Sequence, residues 1–140
     1  MLAKRVETTA SVIFRDLYLA RITAIQTGVP VVLCPGAPEG GCQAEPGWSE
    51  GWFGFLDHNR DHVRSDDERV IVESPAHEGL KISWRAPNWV RFDRLGSAWP
   101  NGHFRVCDAS ATYKSAVILY FTGRVRRANR APSGLEIDCG

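Results

Sequence analysis

No run of eighteen consecutive apolar residues occurs in this 140-residue sequence, so no segment of it reads as a membrane-spanning helix. Charge of one sign is missing too. Seventeen Lys and Arg face sixteen Asp and Glu, a net +1, so any nucleic acid or membrane partner must be held by a local patch rather than by a global field. There is no internal repeat and no low-complexity segment, and Met1 to Lys4 do not make a signal peptide. The length suits one domain spanning 1–140.

The four cysteines contain no CxxC pair, the close spacing that zinc sites usually show. Cys34 and Cys42 flank a Pro/Gly loop, CPGAPEGGC, and Cys139 is the penultimate residue, a pattern that favours disulfides and an oxidising compartment. Four cysteines allow three pairings. Cys34 with Cys42 closes a short loop, and Cys107 with Cys139 pins a C-terminal segment that would otherwise fray, so these two are expected. The histidines, His58, His62, His77 and His103, have no Ser, Cys or carboxylate constellation around them that supplies nucleophile, base and orienter. They read as surface or structural residues, and neither enzyme activity nor a cofactor or metal is expected.

What the chain does have is one long helical pattern. From Ala3 to about Gln26, Val6, Ala10, Ile13, Leu17, Ala20 and Ala24 recur at intervals of four and three, and Phe14, Tyr18, Ile22 and Ile25 widen the stripe. Gly28 and Pro30 end it. Its start carries no capping box and reads as the middle of a helix. Val12 and Leu19, expected on the face opposite the stripe, are candidates for contact with a neighbour.

After Gly28 the period changes. Strands are expected at Val29–Cys34, Gly51–Leu56, Arg69–Glu73, Leu80–Arg85, Trp89–Arg94, His103–Cys107, Ala116–Phe121 and, weakly, Leu135–Cys139, with a Pro/Gly loop from Pro35 to Gly47. The connections are too short for parallel crossovers. The fold class is therefore α+β, one N-terminal α-helix packed on antiparallel β-sheet.

Three features are candidates for function. Gly123-Arg124-Val125-Arg126-Arg127-Ala128-Asn129-Arg130 places four arginines in seven residues, with no acidic residue before Glu136. Guanidinium groups suit phosphate because they donate two parallel hydrogen bonds and stay charged. In an extended segment Arg124 and Arg126 share a face, about 6.5–7 Å apart, which is close to the spacing of phosphates along one DNA strand. Lys114 and Arg105 join the set on charge alone. The second feature is Asp57-His58-Asn59-Arg60-Asp61 with Glu68 at the twelfth position, which follows much of a calcium-loop pattern. His62 stands where the sharp turn needs glycine and no helix pattern flanks the loop, so an Asx-rich hairpin loop is the simpler reading. The third is the set of five tryptophans, Trp48, Trp52, Trp84, Trp89 and Trp99, which serve either as a stacking platform or as caps on a modest core.

Taken in order, Val31-Val32-Leu33-Cys34-Pro35, Gly51-Trp52-Phe53, the Asp57–Asp61 turn, Phe92-Asp93-Arg94-Leu95-Gly96, Phe104-Arg105-Val106-Cys107 and Gly123-Arg124-Val125-Arg126 resemble the soluble domain of type IV minor pilins of the FimT/GspH family, FimT most of all. The resemblance covers nearly the whole chain. It implies a type IV pilin-like fold, in which 1–28 is the C-terminal half of the pilin helix and 29–140 a β-rich head. A prepilin leader and an apolar half-helix would precede it, anchoring the protein in the inner membrane with its head in the periplasm before assembly with other major and minor pilins into an extracellular pilus. The isolated domain would be monomeric. In FimT-like members the Gly-Arg-x-Arg motif is associated with DNA binding during uptake for natural transformation. Here that motif is Gly123, Arg124, Val125 and Arg126, and Arg127, Arg130, Lys114 and Arg105 are added to it from charge. FimU-like tip pilins and the type II secretion pseudopilin GspH share the fold without necessarily using DNA, so an assembly role is the alternative.

Overall fold

A computed structural model describes residues 1–43, 45 and 47–140. The helix α1 runs Leu2–Thr27, and its predicted stripe, Val6, Ala10, Ile13, Leu17, Ala20 and Ala24, is entirely buried. It ends where Gly28 adopts a left-handed conformation (φ 72°) and donates its N–H to the Ala24 carbonyl, the usual way a glycine closes a helix. At the other end no side chain caps the first turn.

Among the described residues ten strands follow: β1 (Val31–Ala37), β2 (Gly41–Cys42), β3 (Trp52–Leu56), β4 (Val70–Ser74), β5 (Leu80–Ser83), β6 (Val90–Phe92), β7 (Ala98–Trp99), β8 (Gly102–Asp108), β9 (Lys114–Leu119) and β10 (Val125–Ala128), with a short 3-10 turn at Trp48–Glu50. All the pairings are antiparallel. One sheet has the order β4-β3-β1-β6-β7, with β2 added to the end of β1, and the other has the order β10-β9-β8-β5. The helix lies against both sheets, and one core joins its stripe to Leu33, Trp52, Phe92, Phe104, Val117 and Leu119. Because two sheets meet α1, its covered arc is wider than one stripe. Val12 is half-buried against this core rather than turned away from it, which corrects its assignment to the outer face; Leu19 is exposed.

Several expectations move. The Pro35–Gly47 loop gives up its first residues to β1, which continues through Pro35 to Ala37 and pairs with Gly41–Cys42. Ala44 and Pro46, in the rest of that predicted loop, lie outside the described residues. Leu135–Cys139 is not a strand. No ladder holds it; instead Ile137 is buried against Cys107 and Ala116, and a disulfide fixes Cys139. The disulfides join Cys34 to Cys42 and Cys107 to Cys139. The edge strand β10 forms from the arginine-rich segment.

Three tryptophans belong to the core. Trp48 and Trp52 pack 6.2 Å apart and Trp84 stacks on Phe104 at 4.3 Å. The Trp52 indole N–H donates to the buried carboxylate of Asp16 at 2.9 Å, so the one acidic residue on the apolar face of α1 has a partner in β3. Trp89 and Trp99 lie together nearer the surface, 5.4 Å apart.

Candidate nucleic-acid interface

The site is built on the hairpin between β9 and β10. Tyr120 N–H donates to the Arg124 carbonyl and Gly123 N–H to the Tyr120 carbonyl, which closes a tight turn. Gly123 is buried with φ 91°, and a Cβ there would overlap the Gly96 carbonyl oxygen and come within 2.6 Å of Arg21 Nε. Arg21 on α1 binds both turns, donating from Nε to Gly96 O (2.9 Å) and from Nη2 to Thr122 O (3.4 Å). The glycine of Gly-Arg-x-Arg is thus the point at which the hairpin is clamped to the 93–96 turn and the helix.

The two motif arginines project from this clamp. Arg124 lies over the Tyr120 ring, 5.7 Å from its centroid, and Arg126 Nε donates to the Tyr120 hydroxyl at 3.0 Å. Both are exposed, and among the described residues neither has an ion-pair partner. A cation over an aromatic face keeps its N–H edges free for an anion. Tyr120 therefore orients both side chains; the sequence reading missed it, although its position three residues before Gly123 in a strand-turn-strand pattern was a usable signal.

The other basic residues divide by strand register. Arg127 pairs across from Val117 and so faces the helix, where its guanidinium reaches Glu7 (2.7 Å) and Ser11 Oγ (2.7 Å). Arg126, Arg105 and Lys114 share the opposite face of the four-stranded sheet, because Arg126 pairs with Ile118, Arg105 with Ala116 and Lys114 with Cys107. Lys81, opposite Cys107 on β5, belongs to the same face and was not singled out from sequence; its place in the alternation of β5 is the signal that marks it as outward.

That basic face is partly closed by the C-terminal segment. Lys114 Nζ pairs with Glu136 at 2.8 Å, Arg105 Nη1 donates to the Asp138 carbonyl at 3.4 Å, and Lys81 Nζ donates to the Gly140 carbonyl at 2.9 Å. The hydrogen bond and charge of Lys114 hold the Glu136 carboxyl below its usual range, and Arg130 adds a smaller share. On the same face, His103 is held below its ordinary value first by burial and then by Arg105. Arg130 is exposed beyond the end of β10. Of the seven residues expected to bind DNA, the structure groups Gly123, Arg124 and Arg126 on one clamped hairpin, places Arg130 just past it, and engages Arg127, Lys114 and Arg105 with the protein's own oxygens. A groove of about 530 Å³ between α1 and β10, lined by Glu7, Ser115, Arg126, Arg127, Ala128 and Asn129, runs beside the hairpin.

A family model described as type II transport protein GspH matches residues 9–123. No curated protein matches the sequence. Among solved structures, the type IV minor pilin FimU of Pseudomonas aeruginosa strain PAO1 is similar with a TM-score of 0.67 at 14% identity, over 91% of this chain and 98% of that one. A second crystal form of FimU gives 0.68 at 13%, over 94% and 95%. The minor pseudopilin EpsH of the type 2 secretion system of Vibrio cholerae gives 0.63 at 12%, over 91% and 98%. These structural likenesses are likenesses of fold.

Proposed function

The chain belongs to the GspH family of type II transport proteins, and from that membership and its pilin-like fold we propose a FimT-like minor pilin that binds the DNA backbone and aids uptake in natural transformation. Arg124 and Arg126 make the phosphate contacts, with Arg130 adding long-range attraction. The observation that carries this reading is that both motif arginines leave a rigid turn, rest on one tyrosine, and have no acidic partner among the described residues. Backbone contacts carry no base information, so binding is largely independent of sequence. No chemistry occurs on the DNA. With so few contacts per subunit, useful affinity comes from several pilins engaging one molecule. The reading also takes the protein to be anchored in the inner membrane by a preceding apolar segment and then carried into an extracellular pilus among other pilins.

A DNA titration of this domain at low and near-physiological salt tests it, with Arg124→Gln/Arg126→Gln as the comparison. Each phosphate contact contributes about 0.9 to the slope of log affinity against log salt for duplex DNA. The double variant should lose most of the affinity and about 1.8 of that slope. Equal binding by the two proteins, or none at low salt, removes the mechanism.

A second reading, a tip pilin or pseudopilin acting in assembly without DNA, is favoured by the exposed apolar residues of α1, Tyr18, Leu19 and Ile25. It predicts that Leu19→Asp abolishes binding to neighbouring pilins and leaves any DNA affinity intact.

A further inference from the structure

The loop between β3 and β4 was read from sequence as an Asx-rich turn because a histidine occupies the glycine position of a calcium loop and no helices flank it. The structure removes both objections. His62 adopts φ 63°, the left-handed conformation for which glycine is otherwise chosen, and its N–H donates to Asp57 Oδ2 at 2.9 Å. Strand pairing does what flanking helices would do. Leu56 N–H bonds to the Arg69 carbonyl at the loop's base, which sets Asp57 at the end of β3 beside Glu68 just before β4.

Closed in this way, the loop gathers one carboxylate oxygen from each of Asp57, Asp61 and Glu68, all within 4.8 Å of one another. Asp57 is 0% exposed, and its Oδ1 has no hydrogen-bond partner. A buried carboxylate oxygen without a donor is costly, and elsewhere in this protein buried carboxylates are satisfied, as Asp16 is by Trp52. Among the described residues no arginine forms an ion pair with the cluster. Arg64 donates to the backbone carbonyls of Glu68 and Pro38, and among the described residues Arg60 makes no ion pair.

We propose that this loop binds a calcium ion through the carboxylates of Asp57, Asp61 and Glu68, with Asn59 as a further oxygen ligand. In the twelve-residue pattern these are the first, fifth, twelfth and third positions; Val63 at the seventh supplies its backbone carbonyl and Ser65 at the ninth reaches through water. The donor set is all oxygen, which excludes preference for zinc or copper. Ligands on opposite sides of calcium are about 4.6–5.2 Å apart, twice a 2.3–2.6 Å bond, whereas magnesium requires about 4.1 Å and near-ideal octahedral geometry. Up to six oxygen ligands from one flexible loop suit calcium's higher coordination number, whereas magnesium keeps most of its waters. Bound there, calcium would cap the buried Asp57 oxygen and tie the two ends of the hairpin together.

The test is calcium titration of the chelator-treated protein by calorimetry, alongside terbium luminescence excited through Trp89, whose ring lies 4.2 Å from that of His62. One saturable site is expected, with a dissociation constant of about 10⁻⁴ to 10⁻³ M, the range of extracellular calcium modules. Asp61→Asn, at an exposed position where misfolding is not at issue, should weaken it by at least about tenfold, and Asn59→Asp should strengthen it. Terbium emission should be displaced by calcium and far less by equal magnesium. Absence of saturation by about 10 mM calcium, unchanged binding in Asp61→Asn, or equally tight magnesium binding would overturn the proposal.

Discussion

Replacing Gly123 with alanine tests whether the arginine hairpin is held as described. The left-handed backbone at φ 91° is unfavourable for any residue with a Cβ, at a cost of about 1–3 kcal/mol. The added methyl also overlaps the Gly96 carbonyl oxygen and crowds Arg21 Nε, so either the 93–96 turn moves or the Arg21 to Gly96 hydrogen bond lengthens. That bond is charge-assisted but only part-buried, so its weakening adds about 1 kcal/mol. The sum is a loss of about 2–4 kcal/mol, or about 6–16 °C in Tm for a chain of this size. Gly28→Ala is the internal control. It has the same kind of backbone, φ 72°, but no atom within 4 Å of the new Cβ, so only the conformational cost of about 1 kcal/mol applies. Thermal unfolding followed by circular dichroism at neutral pH measures both. A Gly123→Ala loss no larger than that of Gly28→Ala would refute the clamp, and with it the explanation of why this motif needs glycine.

Other consequences follow from the same contacts. His77 bridges Ser74 Oγ (2.9 Å) and Thr9 Oγ1 (3.5 Å) and stacks on Trp52 at 5.0 Å. Burial first, and Arg5 second, hold it below its ordinary value of 6.5 despite Asp16, so the folded state prefers the neutral ring. Its contribution is complete above pH 6.5 and is lost as the pH falls from there through the lowered folded value. Tm should therefore decline on acidification in that window, and His77→Gln should flatten the decline. Removing the Cys107–Cys139 bridge, with a sequence separation of 32, should cost about 3–4 kcal/mol, and removing Cys34–Cys42, with a separation of 8, about 2–3, as read by denaturant unfolding of Cys→Ser pairs. The reverse order would show that native contacts outweigh chain entropy here. Arg127→Gln should cost under about 1 kcal/mol of stability, because its pair with Glu7 is part-exposed. It should also reduce DNA affinity less than either Arg124→Gln or Arg126→Gln; an equal reduction would mean that Arg127 leaves Glu7 for phosphate.

The amino-acid sequence was sufficient for whatever depends on near neighbours along the chain. The spacing of Val6 through Ala24 names the buried face of α1, because helical periodicity is a property of consecutive residues, and the alternation in Leu80 to Ser83 marks Lys81 as outward for the same reason. The resemblance of its ordered motifs led to the pilin fold. The turn glycine and basic residues of the hairpin were also visible. What the sequence left open depends on which segments meet across space. Val125–Ala128 is a strand only because β9 offers it an edge, and that register sends Arg127 to Glu7 while leaving Arg126 on the other face beside Tyr120. Val12 is half-buried because the core it packs on extends past the predicted stripe. His62 counted against a metal loop until closure of the β3–β4 hairpin brought Asp57, eleven positions away, beside Glu68 and left one buried oxygen without a donor. Charge and periodicity are written locally, whereas the pairing or freedom of a given charge is decided by long-range strand register and burial.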